Sequence, residues 1–588
     1  MLRIANCSGF YGDRASAARE MVEGGPIDVL TGDYLAELTL MILHRDREKG
    51  GGGFAKTFLR QLEEVLATAV ARGIKIVVNA GGLNPGGLAR AVNELATRLG
   101  VRATVAHIEG DDLLPRLAEL QASGHPLAHL DHGRPLSTLG RPVLTANAYL
   151  GAWGIVEALH AGADVVICPR VTDAALAVGP AAWKFGWARD DWDRLAGAVV
   201  AGHVIECGAQ CTGGNYSFFT EVPDLGHVGF PLVEMHADGS FVVTKHPNTG
   251  GMVTVETVTA QLLYEIQGPR YLNPDATARF DSIALAAAGV DRVRVSGVKG
   301  EPPPQTTKVC INYLGGFRNE MTLVLAGLDV DAKAQVAEAT LWQLCGGRRQ
   351  FAETRVDLMR ADHDDPKSNE AALAYLRVVV KDPDARKVGR AWSGKAVEMA
   401  LASYPGFFLT APPGDASPYG VLWPALVPAA VLRERVVIDG REILVPPPPA
   451  GSGTPPEIAT PVILATPPGP ATPTPLGRVC GARSGDKGGN ATLGVWARSP
   501  AAFLWLDAYL SVTRLRELLP EAKDLVVERH TLANLASHLF VIHGLLGDGV
   551  AASTRVDPMA KSLGEFLRAR HAPIPESVLA SVPAGLGR

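Results

Sequence analysis

The feature that most constrains the fold is a rhythm in the first 170 residues. Short apolar runs fall at residues 3–7, 27–30, 74–79, 103–108, 143–146 and 164–168. Between them lie segments with apolar residues three and four apart, notably 57–71, 88–99 and 149–160. Strands alternating with helices of this length predict a parallel sheet with crossover helices. An open doubly wound sheet and a closed barrel both satisfy the rhythm. The uneven strand spacing favours the open sheet.

The texture changes from about residue 199. AGHVIECGAQCTGGNYSF is glycine-rich and is followed by short strand-like runs. Ala237-Asp238-Gly239-Ser240 marks a hairpin, because Asp-Gly supplies the positive φ such turns need. Residues 308–325, with Gly315-Gly316 at their centre, read as a second hairpin. At 446–475 the chain becomes PPPPAGSGTPPEIATPVILATPPGPATPTP. Proline lacks the N–H and fixes φ, so this tract builds neither helix nor central strand. It reads as a semi-rigid linker, or as a surface strap around IATPVIL.

Beyond it the expected order is a strand pair around ARSGDKGGN, a helix at 501–519, a strand at 525–528, a helix at 532–546, a strand at 550–556 and a helix at 559–570. HGLLGDGV, residues 543–550, reads as a glycine-terminated helix end. That order predicts a small α+β domain of the ferredoxin-like kind. The expected organisation is therefore an α/β region at 1–445, with a parallel core at 1–198 and a mixed extension at 199–445. The linker at 446–475 and the α+β domain at 476–588 follow.

A chain of 588 residues exceeds what one core supports, since single cores stop growing near ~250–300 residues. A net charge of −5 provides no basic field for nucleic acid. The seven cysteines are sparse and odd in number, which fits free thiols in a reducing compartment. No run approaches the ~18 apolar residues of a membrane helix. A cytoplasmic protein is expected.

Candidate chemistry gathers at the carboxyl ends of the predicted strands, where open parallel sheets bind ligands. NAGGLNPGG places Asn79, Gly81, Gly82, Asn84, Gly86 and Gly87 between a strand and a helix. Free N–H groups there suit a phosphate or carboxylate; a tight turn alone also explains the glycines. Ser8, Gly9, Gly12, Asp13 and Arg14 follow the first strand. Arg14 is placed either to fork onto an anion or to pair with Asp13. Glu109, Asp111 and Asp112 are explained by capping. Arg170 and Asp173 face the same crevice, with Thr172 as a helix cap.

GHVIECGAQCTGG brings His203, Glu206 and Cys207 near one another. If the segment is a regular strand, His203 and Cys207 share a face, as a base and a nucleophile would. A buried structural cysteine is the plainer account. The Cys207–Cys211 spacing and the lack of a second pair argue against zinc, and no metal site is expected. Gly213, Gly214 and Asn215 form either an anion nest or a turn. In ARSGDKGGN, Arg483, Ser484, Asp486 and Lys487 share one loop that grips a polar ligand or is simply a solvated hairpin tip.

Taken together, GFYGDR, DYLAELT, NAGGLNPGGL, EGDDLL, TANAYLGAWGIVEAL, GADVVICPRVTDAAL, GHVIECGAQCTGG, EMHADGSFVVTK, TGGMVTVETV and QLLYEI resemble the N-terminal region of the acyclic terpene utilisation (AtuA) family. RSGDKGGNATLGV and VDPMAKSLG resemble its C-terminal ferredoxin-like domain. Cys211 departs from the family's usual small residue, and His538 from its usual asparagine.

The resemblance implies breakdown of acyclic terpenes and branched-chain acids beside acyl-CoA enzymes. On that basis the first expectation is an enzyme performing hydration, isomerisation or a similar acid–base step on a branched acyl-CoA. It would need no redox cofactor, with coenzyme A present only as part of the substrate. Asp13, Asp173, Glu206 and His203 are the acid–base candidates. The alternatives are a non-catalytic partner of acyl-CoA enzymes and a thiol hydrolase using Cys207. A homo-oligomer is the default expectation, with no nucleic acid or membrane partner.

Overall fold

In a computed structural model, residues 1–449 and 469–583 are described. They divide into two compact units. One comprises Met1–Asn312, Leu422–Val550 and Met559–Arg588; the other comprises Tyr313–Val421 and Ala551–Pro558. Residues 450–468 of the proline tract, including IATPVIL, lie outside the described residues.

The first unit is built on β1 (Leu2–Asn6), β2 (Val29–Gly32), β3 (Lys75–Val78), β4 (Val105–Glu109) and β6 (Val165–Ile167). These run parallel in the order β1-β2-β3-β6-β4. The chain steps outward from β3 to β4 and then returns to insert β6 between them. That reversal marks an open doubly wound sheet. β5 (Val143–Ala148) leaves the sheet and pairs with the strand Thr306–Ala326 instead.

On the β1 edge, β7 (Pro231–Met235) and β8 (Phe241–Lys245) add an antiparallel hairpin. Its turn uses Gly239 at φ +85°. On the β4 edge, the strands Arg435–Ile438 and Arg441–Leu444 add another. Among the described residues the sheet has eleven strands.

Successive residues of the parallel strands face opposite cores. Ala5, Leu30, Ile76, Val78 and Ile167 pack with α1 (Ala17–Glu23), α3 (Lys56–Ala71) and α4 (Pro85–Leu99). Ile4, Val29, Val77 and Val166 pack with α6 (Trp153–His160), α7 (Ala175–Phe185) and α8 (Trp192–Ile205). Burial on both faces explains why these strands read as continuous apolar runs. Helix α9 (Val255–Leu262) adds Val258, Ala260 and Leu262 to the second core, whereas α2 (Glu37–Glu48) and α5 (Leu117–Ala122) belong to neither.

The ferredoxin-like domain belongs to the same compact unit. Strands Cys480–Lys487, Asn490–Ala497, Ser537–Ile542 and Val527–Leu532 form an antiparallel sheet in that order. Here the structure corrects the sequence reading. Residues 532–546 are not a helix: Ala536, at φ +47°, turns Val527–Leu532 back into Ser537–Ile542. Every residue of SHLFVI is buried, so no period of two betrays the strand. Residues 550–556 form no strand, and 543–550 is a run of turns. The helix expected at 501–519 breaks into Pro500–Tyr509 and Val512–Leu518, the second capped by the Ser511 hydroxyl. The end of the proline tract, Ala471–Pro475, pairs as an edge strand with His571–Pro575.

The second unit carries the sheet Glu353–Arg360, Leu373–Asp382, residues 313–326 of the strand Thr306–Ala326, and Phe408–Leu409, with helices Val330–Leu344 and Arg390–Glu398 in its core. Gly315-Gly316 does not reverse the chain, since Thr306–Ala326 is one continuous strand. A Cβ at Gly315 would stand 2.3 Å from the Tyr419 ring, so that glycine serves close packing. Arg318, Arg377 and Lys381 donate from this sheet to the carbonyls of Ala551, Thr554 and Ala552.

Among the described residues no helix is long and apolar enough to cross a membrane. None of their His, Cys, Asp and Glu side chains form a group of three placed to hold a metal ion.

Candidate functional site

Three strand ends of the parallel sheet converge on one buried polar cluster. Asp33 follows β2, Asn79 follows β3, and Arg170 and Asp173 follow β6. Asn79 Nδ2 donates to Asp33 Oδ1 at 2.5 Å, while its Oδ1 accepts from the Tyr34 N–H at 2.7 Å. Arg170 is 3% exposed, donates to the Leu35 carbonyl at 2.8 Å and lies 4.1 Å over the Tyr149 ring. Its Nη1 stands 3.0 Å from Asp173 Oδ1, close enough for an ion pair but not aligned as a hydrogen bond. Burial pushes the Asp33 carboxyl well above its ordinary range and the nearby Asp173 charge adds to this, while Arg170 and Asn79 oppose it.

The C-terminal end of α8 supplies the second element. His203 and Glu206 lie on a helical turn, not on a strand, so the i,i+3 relation brings them together. His203 and Cys207 therefore do not share a strand face. Asn6 Nδ2 donates to the carbonyls of Ile205 and Glu206 at 2.7 and 3.1 Å, fixing this turn to the end of β1. His203 is 1% exposed and is enclosed by Tyr271 and Phe280. Its Nε2 lies 3.3 Å from the Leu262 carbonyl. A carbonyl only accepts, so Nε2 carries the hydrogen and Nδ1 keeps its lone pair. That lone pair stands 3.3 Å from Glu206 Oε1.

Burial lowers His203 to about 4 and the positive Lys487 adds to this, so the imidazole is neutral. Burial lifts Glu206 well above the carboxylate range, and Asp173 and Glu265 push it further. A protonated Glu206 carboxyl is the form that complements the Nδ1 lone pair. Glu206 Oε2, Thr172 Oγ1 and Gln261 Oε1 are buried without a hydrogen-bond partner among the described residues. Thr172, expected to cap α7, does not do so. The Cys207 thiol is raised by burial and by Glu206 and Glu265, which opposes the thiolate a nucleophile requires.

The opposite rim comes from the segment after α9 and from the ferredoxin-like domain. A Cβ at Gly485 would lie 2.6 Å from the Tyr264 ring, and one at Gly494 would lie 2.4 Å from Leu263 Cβ. Glycine at both positions lets the 480–497 hairpin press directly onto residues 263–264. Glu265 is held at φ +59°, unusual for a residue with a side chain. It faces Lys487 at 3.9 Å and Lys561 at 3.8 Å. Lys561 also lies 3.7 Å from Asp486 and contacts the Tyr264 hydroxyl. Burial and Glu265 push Asp486 up to about 6. Arg483 stacks on Tyr264 at 4.6 Å and donates to the Asn215 carbonyl at 3.0 Å. Ser484 Oγ accepts from the Gly564 N–H at 2.9 Å, anchoring the helix that follows Lys561. Nearby, Glu37 accepts from Lys308 at 2.9 Å and from the Tyr149 hydroxyl at 2.6 Å. Burial would raise Glu37, but Lys308 and Arg170 hold it well below its ordinary range.

The structure thus gathers Asp173, Glu206, His203, Cys207, Arg170, Arg483, Asp486 and Lys487. The other expected residues have internal roles. Asp13 accepts from the N–H groups of Gly9 and Arg14, closing its own loop. Arg14 pairs with Glu20 rather than Asp13 and also donates to the Val228 carbonyl. At the start of α4 the anion position is filled from within, because Asn84 Oδ1 accepts from the Gly87 N–H at 2.9 Å. Gly81 and Gly86 pack against the Cys168 carbonyl and His107, and Gly82 adopts φ +53°. Gly213, at φ +112°, packs on Val222, and the Gly214 N–H bonds to the Ala209 carbonyl, so this segment is a turn rather than a nest. Asp33, Glu37, Tyr264, Glu265, Lys308 and Lys561 were not foreseen as site residues. Asp33, Glu265 and Lys561 neighbour or fall in the conspicuous stretches DYLAELT, QLLYEI and VDPMAKSLG, which was the only signal available for them.

Two family descriptions match the chain. Residues 2–438 match "Acyclic terpene utilisation family protein AtuA", and residues 474–573 match "AtuA ferredoxin-like domain". No curated protein matches significantly. Among solved structures, two crystal structures of S. aureus homoserine dehydrogenase, at pH 6.0 and pH 6.5, are similar at 10% identity and a TM-score of 0.12. The first similarity covers 68% of this chain and 82% of that one; the second covers 69% and 84%. A TM-score that low carries no argument.

Proposed function

The chain belongs to the acyclic terpene utilisation (AtuA) family, and from that premise we propose that it is an enzyme performing an acid–base step, isomerisation or hydration, on a branched acyl-CoA. The observation that carries the reading is the buried His203–Glu206 pair. Its Glu206 Oε2 lacks any partner among the described residues. A carboxyl lifted toward neutrality by burial is matched to proton exchange with a substrate.

In an isomerisation, a C–H bond beside the unsaturated system breaks and its proton passes to the Glu206 carboxylate. The electron pair spreads onto the thioester oxygen. Return of the proton to another carbon completes the step. The neutral His203, fixed in one tautomer by Leu262, orients Glu206 and accepts a hydrogen bond from its protonated form. Arg170 holds Asp173 at the mouth of the crevice, where Asp173 keeps 26% of its side-chain surface exposed.

The test is Glu206→Gln, which keeps the shape and removes the titrating proton. Turnover of a branched enoyl-CoA should fall by about 10²–10⁴-fold with the melting temperature retained. Full activity in this variant would overturn the reading.

A further inference from the structure

We propose that Lys487, carried by the ferredoxin-like domain, is the anion-binding residue of the site and takes the carbonyl-derived anionic oxygen of the substrate, as a carboxylate or as a thioester enolate. The inference rests on the acid–base reading of His203 and Glu206, and extends it to a residue of the second domain.

The geometry begins with a four-residue span. Leu262 binds His203 through its carbonyl, and Glu265, three residues on, faces Lys487. Gln261 Nε2 also donates to the His203 carbonyl at 3.1 Å. One side of this span therefore touches the acid–base pair, and the other touches the 480–497 hairpin. Gly485 and Gly494 remove the side chains that would hold the two apart.

The hairpin ends in a two-residue turn, with Lys487 paired to Asn490 across Gly488-Gly489. Asn490 Nδ2 donates to Asp131 Oδ1 at 3.0 Å, and Asn490 Oδ1 accepts from the Gly544 N–H at 2.9 Å, so the turn is held on both sides. Lys487 stands at the end of a fixed element rather than on a loose loop.

The charge arrangement leaves its ammonium with one long ion pair, to Glu265, and no hydrogen bond among the described residues. Lys561 lies between the two nearby carboxyls, 3.8 Å from Glu265 and 3.7 Å from Asp486. Lys487 reaches Glu265 only at 3.9 Å, beyond hydrogen-bond distance, and among the described residues it donates no hydrogen bond. An ammonium carries three donors and is strongly hydrated. Its side chain is only 31% exposed here, so part of that hydration is lost. An anionic oxygen held between Lys487 and Glu206 restores it. Such a donor, fixed before reaction where negative charge develops, is the form of stabilisation that lowers a barrier most. The Lys487 charge also acts on Glu206 and His203, which places all three in one field.

The test is calorimetric titration of the full-length protein with 3-methylbut-2-enoyl-CoA and, separately, with free 3-methylbut-2-enoate. Lys487→Met should raise the dissociation constant of the free acid, which binds as an anion, at least tenfold, or lower kcat for the enoyl-CoA, whose oxygen becomes anionic only during the reaction, at least tenfold. Lys487→Arg, which keeps the charge, should stay within about threefold of the wild type. Unliganded melting temperatures identify any folding defect, and if the Met variant is unstable the Arg variant against Lys487→Gln decides. Wild-type affinity for the acid together with wild-type turnover of the enoyl-CoA in Lys487→Met overturns the proposal, as does a wild type that binds neither probe. Lys487-dependent binding of the free acid alone keeps the proposal and overturns the acyl-CoA part of the function. Lys487-dependent binding with a fully active Glu206→Gln keeps the proposal and overturns the acid–base reading.

Discussion

Asp111 offers a measurement in which the structure sets the size of the effect. It follows β4, is 4% exposed, and accepts from Asn147 Nδ2 at 2.7 Å and from the Arg170 N–H at 3.2 Å. Burial pushes its carboxyl from 3.8 to about 7, against the pull of those two donors. The folded state therefore holds a proton that the unfolded chain releases near 3.8. Stability from this group is fully present below pH 3.8 and is lost as pH rises through about 7. At about 1.36 kcal/mol per pH unit of difference, the whole span is about 4 kcal/mol.

Asp111→Asn keeps the shape and cannot titrate. The stability of Asp111→Asn relative to the wild type should therefore improve between pH 4 and pH 8 by up to about 4 kcal/mol. Denaturant unfolding at the two pH values reads this directly. Hydrogen-bond changes in the variant affect both pH values alike and cancel in the comparison. A wild-type-to-variant difference that does not change with pH would refute the reasoning.

Two further outcomes follow from single side chains. Gly9→Ala should destabilise by about 1–3 kcal/mol and depress activity, because its Cβ would fall 2.6 Å from the Gly208 nitrogen and 2.7 Å from the Cys207 carbonyl carbon. Gly12→Ala, which meets only the movable Phe10 ring at 3.3 Å, is the control, and equal melting temperatures for the two variants would sink the argument. Cys207→Ala should retain turnover within a few-fold in a thioester assay, since burial opposes the thiolate; its complete inactivity would restore the nucleophile reading.

The parallel core was legible because doubly buried strands are continuous apolar runs between periodic helices. The same burial hid Ser537–Ile542, where every position is covered and helix and strand look alike. His203 was misplaced because glycines from Gly197 to Gly214 suggested broken structure, whereas α8 tolerates its internal glycines where neighbours press close. A Cβ at Gly197 would lie 2.1 Å from the Gly239 carbonyl oxygen, and one at Gly202 would lie 2.6 Å from Ala174 Cα. In the cluster, Arg170 and Asp173 lie where the sequence placed them, just beyond a strand end, whereas Glu206 closes a helix where a strand was considered. The glycine loop at Gly81–Gly87 misled because the sequence does not reveal that Asn84 folds back to cap its own helix. Glu265 and Lys561 were invisible as site residues because a long-range docking, not a local motif, brings them together.

That docking also bears on the chemistry. The core alone gathers Asp33, Asp173 and Glu206 around one guanidinium, that of Arg170. Two of these carboxyls, Asp33 and Glu206, are pushed upward by burial and by mutual repulsion. Lys487 pulls Glu206 downward against burial, and the same charge adds to the burial that lowers His203. The ferredoxin-like domain thus contributes, through Lys487, to the proton affinity of a pair carried by α8.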